Sequence, residues 1–298
     1  MHYGVTLPPF DEFFDPRTLA EIAREAEQAG WDGFFLWDHV LLWPTPIADP
    51  WVALAAVALA TERIRIGPLV TPLPRRRPSK LARETVSLDH LSRGRLVLGV
   101  GSGGGPWEWD YLGEVRDPRV RGAMLDEGLD LLARLWSGEP VLHEGRFYQF
   151  RGDLGPDNPA VSPTPFLPRP VQSPRIPVWV AGTWPRKAPF RRAARWDGVV
   201  PLAEGKAFGE YMTPEEAGQI TAYVRGQRTS ADPFDVVISG HTAGTDPAAD
   251  SALVQQYAEA GATWWLEDIS PWPFGWTWQG PWPTDAMRAR IRQGPPRS

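Results

Sequence analysis

The sequence predicts a (β/α)8 barrel, eight parallel strands alternating with eight helices. Three observations carry that prediction. Short apolar runs of the kind buried on both faces recur along the chain. Segments with helical apolar spacing separate them. Asp-Pro pairs at Asp15-Pro16, Asp49-Pro50, Asp117-Pro118 and Asp246-Pro247 mark where helices begin. An Asp accepts the free amides at a helix start, and a Pro at the first position sacrifices no hydrogen bond there. Strict alternation favours a closed parallel barrel over an open doubly wound sheet.

The elements follow in order. A first strand is expected at residues 3–7. The first helix opens at Asp15-Pro16, presents Leu19, Ile22, Ala23 and Ala26 on one face, and ends at Gly30. Strand two covers 33–37, and Asp49-Pro50 opens helix two. Strand three is expected at 63–70, helix three at 79–91, strand four at 95–100, and helix four at 117–136. Between 139 and 177 the alternation breaks, with eight prolines from Pro156 to Pro177. This segment reads as an insertion after the fourth helix, with a short edge hairpin at 145–150. Strand five resumes at 176–181 and leads into a helix reaching about Trp196. Strand six is 198–200, and Thr213-Pro214-Glu215-Glu216 is a capping box for helix six. Strand seven is 235–239, and helix seven runs from Asp246-Pro247 to Gly261. Strand eight is 263–267, and a last helix covers 283–292. Residues 1–298 are thus expected to form a single barrel domain, with 139–177 inserted in it.

Composition narrows the function. The chain has 31 basic and 36 acidic residues and a net charge of -5, which argues against a nucleic-acid partner. It contains no cysteine, which removes disulfides, thiolate metal sites and a cysteine nucleophile. Its longest apolar run, 51–60, is too short to span a bilayer, and no signal peptide is visible, so a cytoplasmic protein with no membrane partner is expected. The histidines lack metal-ligand spacing, so no metal is expected, and neither a G-x-S-x-G elbow nor a P-loop is present.

In a barrel of this kind the chemistry gathers where the strands end. Strand two ends in Asp38-His39, a histidine beside a carboxylate able to fix its tautomer, which suits proton transfer or else a structural pair. Strand four runs into Gly101, Ser102, Gly103 and Gly104. Gly99, Gly101 and Gly104 satisfy G-x-G-x-x-G, but a Rossmann fingerprint belongs in the first βαβ unit and opens directly into a helix. The preferred reading is close backbone approach to a flat or phosphorylated cofactor, the alternative being a tight turn alone. Strand five ends in Ala181, Gly182 and Thr183 before a helix start bearing Arg186 and Lys187, a candidate phosphate site or a solvated basic face. Arg75, Arg76 and Arg77 follow strand three, either solvated or attracting an anionic tail. Trp264 and Trp265 must point to opposite faces of their strand, while Trp272, Trp276, Trp278 and Trp282 are packing residues or the lining of an apolar pocket. A sugar-processing barrel would need a carboxylate pair, for which Asp38 and Glu267 are the nominees.

Several stretches together resemble the bacterial luciferase-like superfamily of flavin- and deazaflavin-dependent oxidoreductases. They are Trp37-Asp38-His39, residues 67–72 with Arg77-Pro78, residues 89–101, Trp136-Ser-Gly-Glu-Pro140 with Glu144-Gly-Arg-Phe147, and Val178-Trp-Val-Ala-Gly182. The resemblance implies hydride transfer between coenzyme F420 or a flavin and a small organic substrate, with the deazaflavin slightly favoured, in a homodimer. It equally admits an FMN-dependent monooxygenase, and the fold alone admits a catalytically idle flavin-binding protein. It implies that His39, aided by Asp38, and Trp43 flank the reactive ring and substrate, and that Leu69 and Val70 lie where relatives back the ring near a non-proline cis peptide. Deazaflavin dehydrogenases also carry an acidic residue just after the glycine loop. Here that place is Gly104, and Glu108 is the nearest carboxylate for the catalytic role.

Overall fold

The computed structural model describes residues 1–42, 44–151 and 165–297. Trp43 and the stretch 152–164 of the expected insertion lie outside the described residues. The chain divides into two compact units. One comprises Met1–Thr71, Val97–Val100 and Pro177–Ser298, the other Pro72–Leu96 and Gly101–Ile176.

The first unit carries the barrel. Its strands are β1 (His2–Leu7), β2 (Gly33–Leu36), β3 (Arg65–Pro68), β5 (Leu98–Gly101, the last residue belonging to the second unit), β8 (Val178–Trp184), β9 (Gly198–Ala203), β10 (Asp235–Gly240) and β11 (Trp264–Asp268). Parallel pairings link them in the order β3-β2-β1-β11-β10-β9-β8-β5. The Val97 N–H then donates to the Ile66 carbonyl at 2.9 Å and brings the two ends of that order together. This closure needs Gly67, because a side-chain carbon there would lie 2.0 Å from the Val97 carbonyl oxygen. A further two-residue strand, β4 (Thr71–Pro72), extends the sheet.

Inward residues of the strands form one apolar cluster of Phe35, Val97, Trp179, Val200, Val237, Trp264 and Leu266, with Leu69 and Ala181 packed against it. Trp264 contacts Phe35 and Trp179 at ring separations of 5.9 and 5.3 Å. Trp265 points the other way and packs on Tyr257, as strand alternation requires. The helices of this unit are α1 (Pro16–Gln28), α2 (Pro50–Ala60), α6 (Lys187–Ala193), α7 (Pro214–Gln227), α8 (Pro247–Glu259) and α9 (Thr284–Arg292). Asp15, Asp49 and Asp246 each accept backbone N–H groups at a helix start, and Thr213 with Glu216 forms both arms of the capping box.

In the second unit, α3 (Pro78–Leu91) packs on α5 (Pro118–Trp136), which Asp117 caps. Trp136 Nε1 donates to Thr85 Oγ1 at 3.0 Å between them. A hairpin of β6 (His143–Glu144) and β7 (Gln149–Phe150) turns around Glu127, whose carboxylate accepts the N–H groups of Phe147 and Tyr148. Buried Asp89 accepts the Val171 and Gln172 N–H groups and fixes the chain beyond residue 165.

Four expectations are corrected. The third and fourth barrel strands are shorter than expected, because continuous strand pairing ends at Pro68 and resumes at Leu98. Strand five instead runs on to Trp184, paired with Ala203 of β9. The hairpin strands flank residues 145–148 rather than starting at Gly145. A short helix, α4 (Pro106–Tyr111), follows the glycine run, making nine α-helices among the described residues instead of eight. No helix among those residues is long and apolar enough to cross a membrane.

Candidate functional site

All eight barrel strands run in one direction, so their C-terminal ends share one mouth. Three of these ends meet through direct contacts. Beyond β2, Trp37 donates Nε1–H to Thr6 Oγ1 at 3.2 Å. Asp38, 3% exposed, accepts the Thr71 hydroxyl at 2.7 Å, which ties the β2 exit to the β3 exit. The half-buried His39 ring lies edge-on to Phe10 at 5.6 Å. Beyond β3, the Leu69 N–H donates to the Leu36 carbonyl at 2.7 Å, and the Leu69–Val70 peptide is cis. Gly99 of β5 lies directly behind this segment. A Cβ there would fall 2.3 Å from the Pro68 carbonyl oxygen, 2.4 Å from Leu69 Cδ2 and 3.3 Å from Val70 Cγ1.

Ala181, Gly182 and Thr183 are strand residues of β8 rather than its exit loop. The space a Gly182 side chain would take is filled by Pro189 of α6, 2.5 Å from the ideal Cβ position. The nearby cations have partners of their own. Arg186 pairs with Glu204, and Lys187 Nζ sits 3.3 Å from the centre of the Trp184 ring.

The glycine run and Glu108 belong to the second unit. Gly103 has φ +85°, and a Cβ there would lie 2.0 Å from Trp109 Cζ2, so this glycine is required by both backbone and packing. Gly104 differs: nothing stands within 4 Å of its ideal Cβ position, so its backbone faces open space. Glu108 is 1% exposed and pairs with Arg75 at 3.1 Å. The guanidinium groups of Arg75 and Arg121 lie over the Trp109 ring at 4.5 and 4.3 Å, and Arg121 also donates to the Ser102 carbonyl.

The mouth of the barrel also brings Glu267, nominated from the sequence, together with His241 and Asp268, which were not. His241 follows β10 directly, and its ring lies 4.9 Å from Phe274. Glu267 is fully buried and accepts the Thr242 N–H at 2.6 Å, the Thr242 hydroxyl at 2.9 Å, Trp265 Nε1–H at 3.1 Å and Arg290 Nη2 at 3.3 Å. Asp268 accepts the Tyr211 hydroxyl at 3.0 Å and the Ser270 N–H at 2.8 Å. Burial raises the Asp268 carboxyl above the usual range, against the lowering effect of those hydrogen bonds and of His241. Burial and the Asp268 charge push the Tyr211 phenol up as well. The one available signal was positional, since Gly240-His241 repeats at strand seven the exit histidine seen at strand two. An aromatic stack completes this region: Phe208 lies on Trp272 at 4.2 Å, and Trp272 is parallel to Trp37 at 6.1 Å.

Residues 1–273 match the family described as luciferase-like monooxygenase. An F420-dependent glucose-6-phosphate dehydrogenase of Beutenbergia cavernae is 38% identical over 242 residues, 76% of this chain and 64% of that protein. The match therefore spans just under two thirds of that relative's length. Among solved structures, an F420-dependent secondary alcohol dehydrogenase with a bound F420-acetone adduct is similar at TM-score 0.70 and 18% identity, over 91% of this chain and 94% of that one. The oxygenating constituent of 3,6-diketocamphane monooxygenase from Pseudomonas putida, in complex with FMN, is similar at TM-score 0.66 and 20% identity, over 86% and 71%. At these identities the two structures speak for the barrel fold alone.

Proposed function

The chain belongs to the luciferase-like monooxygenase family, and from that premise we propose that it is an oxidoreductase acting on a small organic substrate with F420 or FMN. The observation that carries the proposal is the three-way junction at the barrel mouth, where Asp38 holds Thr71, Leu36 holds Leu69, and Gly99 supports Leu69 and Val70. These residues suit a planar ring. Leu69 and Val70 offer an apolar ledge, and His39 stands beyond the adjacent strand. When bound, the cofactor would supply the hydride donor or acceptor. The protein's own part is to hold the ring and to manage a proton. In this reading His39 exchanges that proton with substrate, and Asp38 positions the β2 exit by anchoring it to Thr71. Gly101, Ser102, Gly103 and Gly104 are proposed as further cofactor contacts, and Gly104, whose Cβ position is open, is the best fitted of them. Ala181, Gly182 and Thr183 keep the phosphate-side role through their backbone, since Pro189 fills the Gly182 side-chain space. Trp43 is proposed to flank the substrate.

Glu108 bears on the choice of cofactor. Its carboxylate is shut in beside Arg75, where it steadies the Trp109 stack, so it supports the structure of the loop more than a catalytic role. That observation favours the second reading, an FMN monooxygenase, over a deazaflavin dehydrogenase. Side-by-side titration with F420 and FMN, followed by oxygen consumption with whichever binds, separates the two. His39→Ala should lower turnover by about 10²-fold or more while leaving cofactor affinity within a few-fold. Equal losses in both would remove the proton-handling role, and binding without turnover would favour an idle flavin-binding protein.

The homodimer is proposed on a surface feature. Val52, Ala55, Ala56 and Leu59 form an i, i+3, i+4, i+7 strip on α2, with Val52 and Leu59 62% and 71% exposed. Light scattering of a Val52→Lys/Leu59→Lys variant should show a monomer where the parent chain is dimeric. A dimer that survives both charges would place the interface elsewhere.

A further inference from the structure

The strand-seven exit holds a second imidazole in a fixed setting. Gly240 of β10 is paired in register with Glu267 of β11, so His241, the next residue, emerges beside that carboxylate. His241 Nδ1 is closed off from solvent and has no hydrogen-bond partner; it lies 3.2 Å from Glu267 Oε1, close enough for charge attraction but not aligned as a hydrogen bond. Glu267 cannot swing away, because Thr242, Trp265 and Arg290 hold its two oxygens, and Arg290 is itself fastened to the Thr242 and Gly294 carbonyls. Phe274 packs at 72° to the imidazole and limits its rotation. The His241 side chain is nonetheless 19% exposed. Nε2, unlike Nδ1, is not closed off from solvent, and among the described residues it makes no hydrogen bond.

The chemistry of the ring follows from this setting. In the neutral ring, the negative charge 3.2 Å from Nδ1 draws the one proton to Nδ1. Nε2 is then a bare acceptor, able to take a hydrogen from a hydroxyl but with nothing to offer a carbonyl oxygen. The nearest other polar groups at this exit are already committed. Asp268 takes the Tyr211 hydroxyl and the Ser270 N–H, and Glu267 is surrounded by donors. Phe274 gives the ring an apolar neighbour, and Trp272 and Trp276, which pack on each other, flank Phe274 in sequence.

We propose that His241 Nε2 is a specificity-determining acceptor for a substrate hydroxyl, so that the site selects hydroxylated molecules over their keto counterparts. The proposal deepens the oxidoreductase reading and rests on it for the existence of a substrate. Its test needs neither cofactor nor turnover. Tryptophan fluorescence of the full chain, reporting through Trp272 and Trp276, is followed while cyclohexanol and cyclohexanone are titrated separately. One hydrogen bond made by the alcohol alone should make cyclohexanol bind about fivefold more tightly. His241→Phe should bring the ratio to about one. His241→Gln, whose amide oxygen is an acceptor, should restore part of the preference and carries the test if the Phe variant fails to fold. Equal binding of both probes by the parent chain, a preference for the ketone, no response to cyclohexanol, or an alcohol preference undiminished in both variants would overturn the proposal. Because the F420 and FMN titrations are separate measurements, failure here leaves the redox reading standing, and failure there leaves this hydroxyl preference intact.

Discussion

Gly99→Ala tests the junction at the barrel mouth most directly. The added methyl group would sit 2.3 Å from the Pro68 carbonyl oxygen, whereas real Cβ atoms almost never approach a heavy atom within 3.0 Å. Leu69 Cδ2, at 2.4 Å, is the end of a flexible side chain and can rotate aside. The Pro68 carbonyl is backbone. It belongs to β3, whose Pro68 pairs with Leu36 of β2, and the next N–H is bound to the Leu36 carbonyl. Relief of roughly 0.7 Å, the gap from 2.3 to 3.0 Å, must therefore come from moving a strand end. Overpacking of this kind costs about 3 kcal/mol when backbone must yield. Restricting the unfolded chain returns about 0.5–1 kcal/mol. The net loss of about 2–2.5 kcal/mol corresponds to a fall in Tm of about 4–10 °C for a chain of this size. The same displacement shifts Leu69 and Val70, so affinity for F420 or FMN should fall with stability. Gly104→Ala is a control for stability alone, since nothing lies within 4 Å of its Cβ position, and its stability should stay within about 0.5 kcal/mol of the parent. Differential scanning calorimetry and cofactor titration read both effects. A Gly99→Ala chain with unchanged Tm and unchanged cofactor affinity would refute the claim that Gly99 supports this segment.

Two further predictions concern hydrogen-bonded carboxylates of opposite behaviour. Burial opposes the charge of Glu127, but the Tyr148 and Phe147 N–H groups and His143 outweigh it and hold its carboxyl below the ordinary value. Its stabilising contribution is therefore complete above the unfolded-state value near 4.5 and lost as pH falls further, and Glu127→Gln should cost about 1–3 kcal/mol at pH 7 and flatten that acid limb in thermal melts. Asp268 is the reverse case, raised chiefly by burial, so the parent chain should lose stability as pH rises from about 4 towards neutrality while Asp268→Asn does not. Melting both chains between pH 4 and 8 checks this, and parallel Tm profiles would contradict it.

Helix starts were legible because their signal is local. Asp15, Asp49, Asp117 and Asp246 each stand next to a Pro, and each caps the helix expected of it. The short helix α4 begins by a related device, Pro106 after Gly105, but without a capping carboxylate the run of glycines masks it. Strand ends were less legible because a strand ends where its partner ends. Trp184 remains in the ladder only because Ala203 lies opposite it, and apolar runs carry no register. The same limit hid the strand-seven site. His241 and Glu267 are neighbours because Gly240 pairs with Glu267, a register that emerges only when the barrel closes.

The carboxylates at the strand ends also help to decide between classes of chemistry. A glycoside-processing barrel needs one carboxyl group able to give up a proton and a second able to activate water or attack the sugar. Asp38 is 3% exposed and holds Thr71, and Glu267 is fully buried among four hydrogen-bond donors. Asp268 is occupied by Tyr211 and Ser270. Each serves as an anchor, and freeing any one of them would leave buried donors without an acceptor. The half-buried imidazoles are built differently. His39 rests against Phe10, and His241 has one nitrogen facing a fixed carboxylate while the other is not closed off from solvent. Strand-end acids held in this way are poorly suited to two-carboxylate hydrolysis, whereas a half-buried imidazole suits the movement of a single proton.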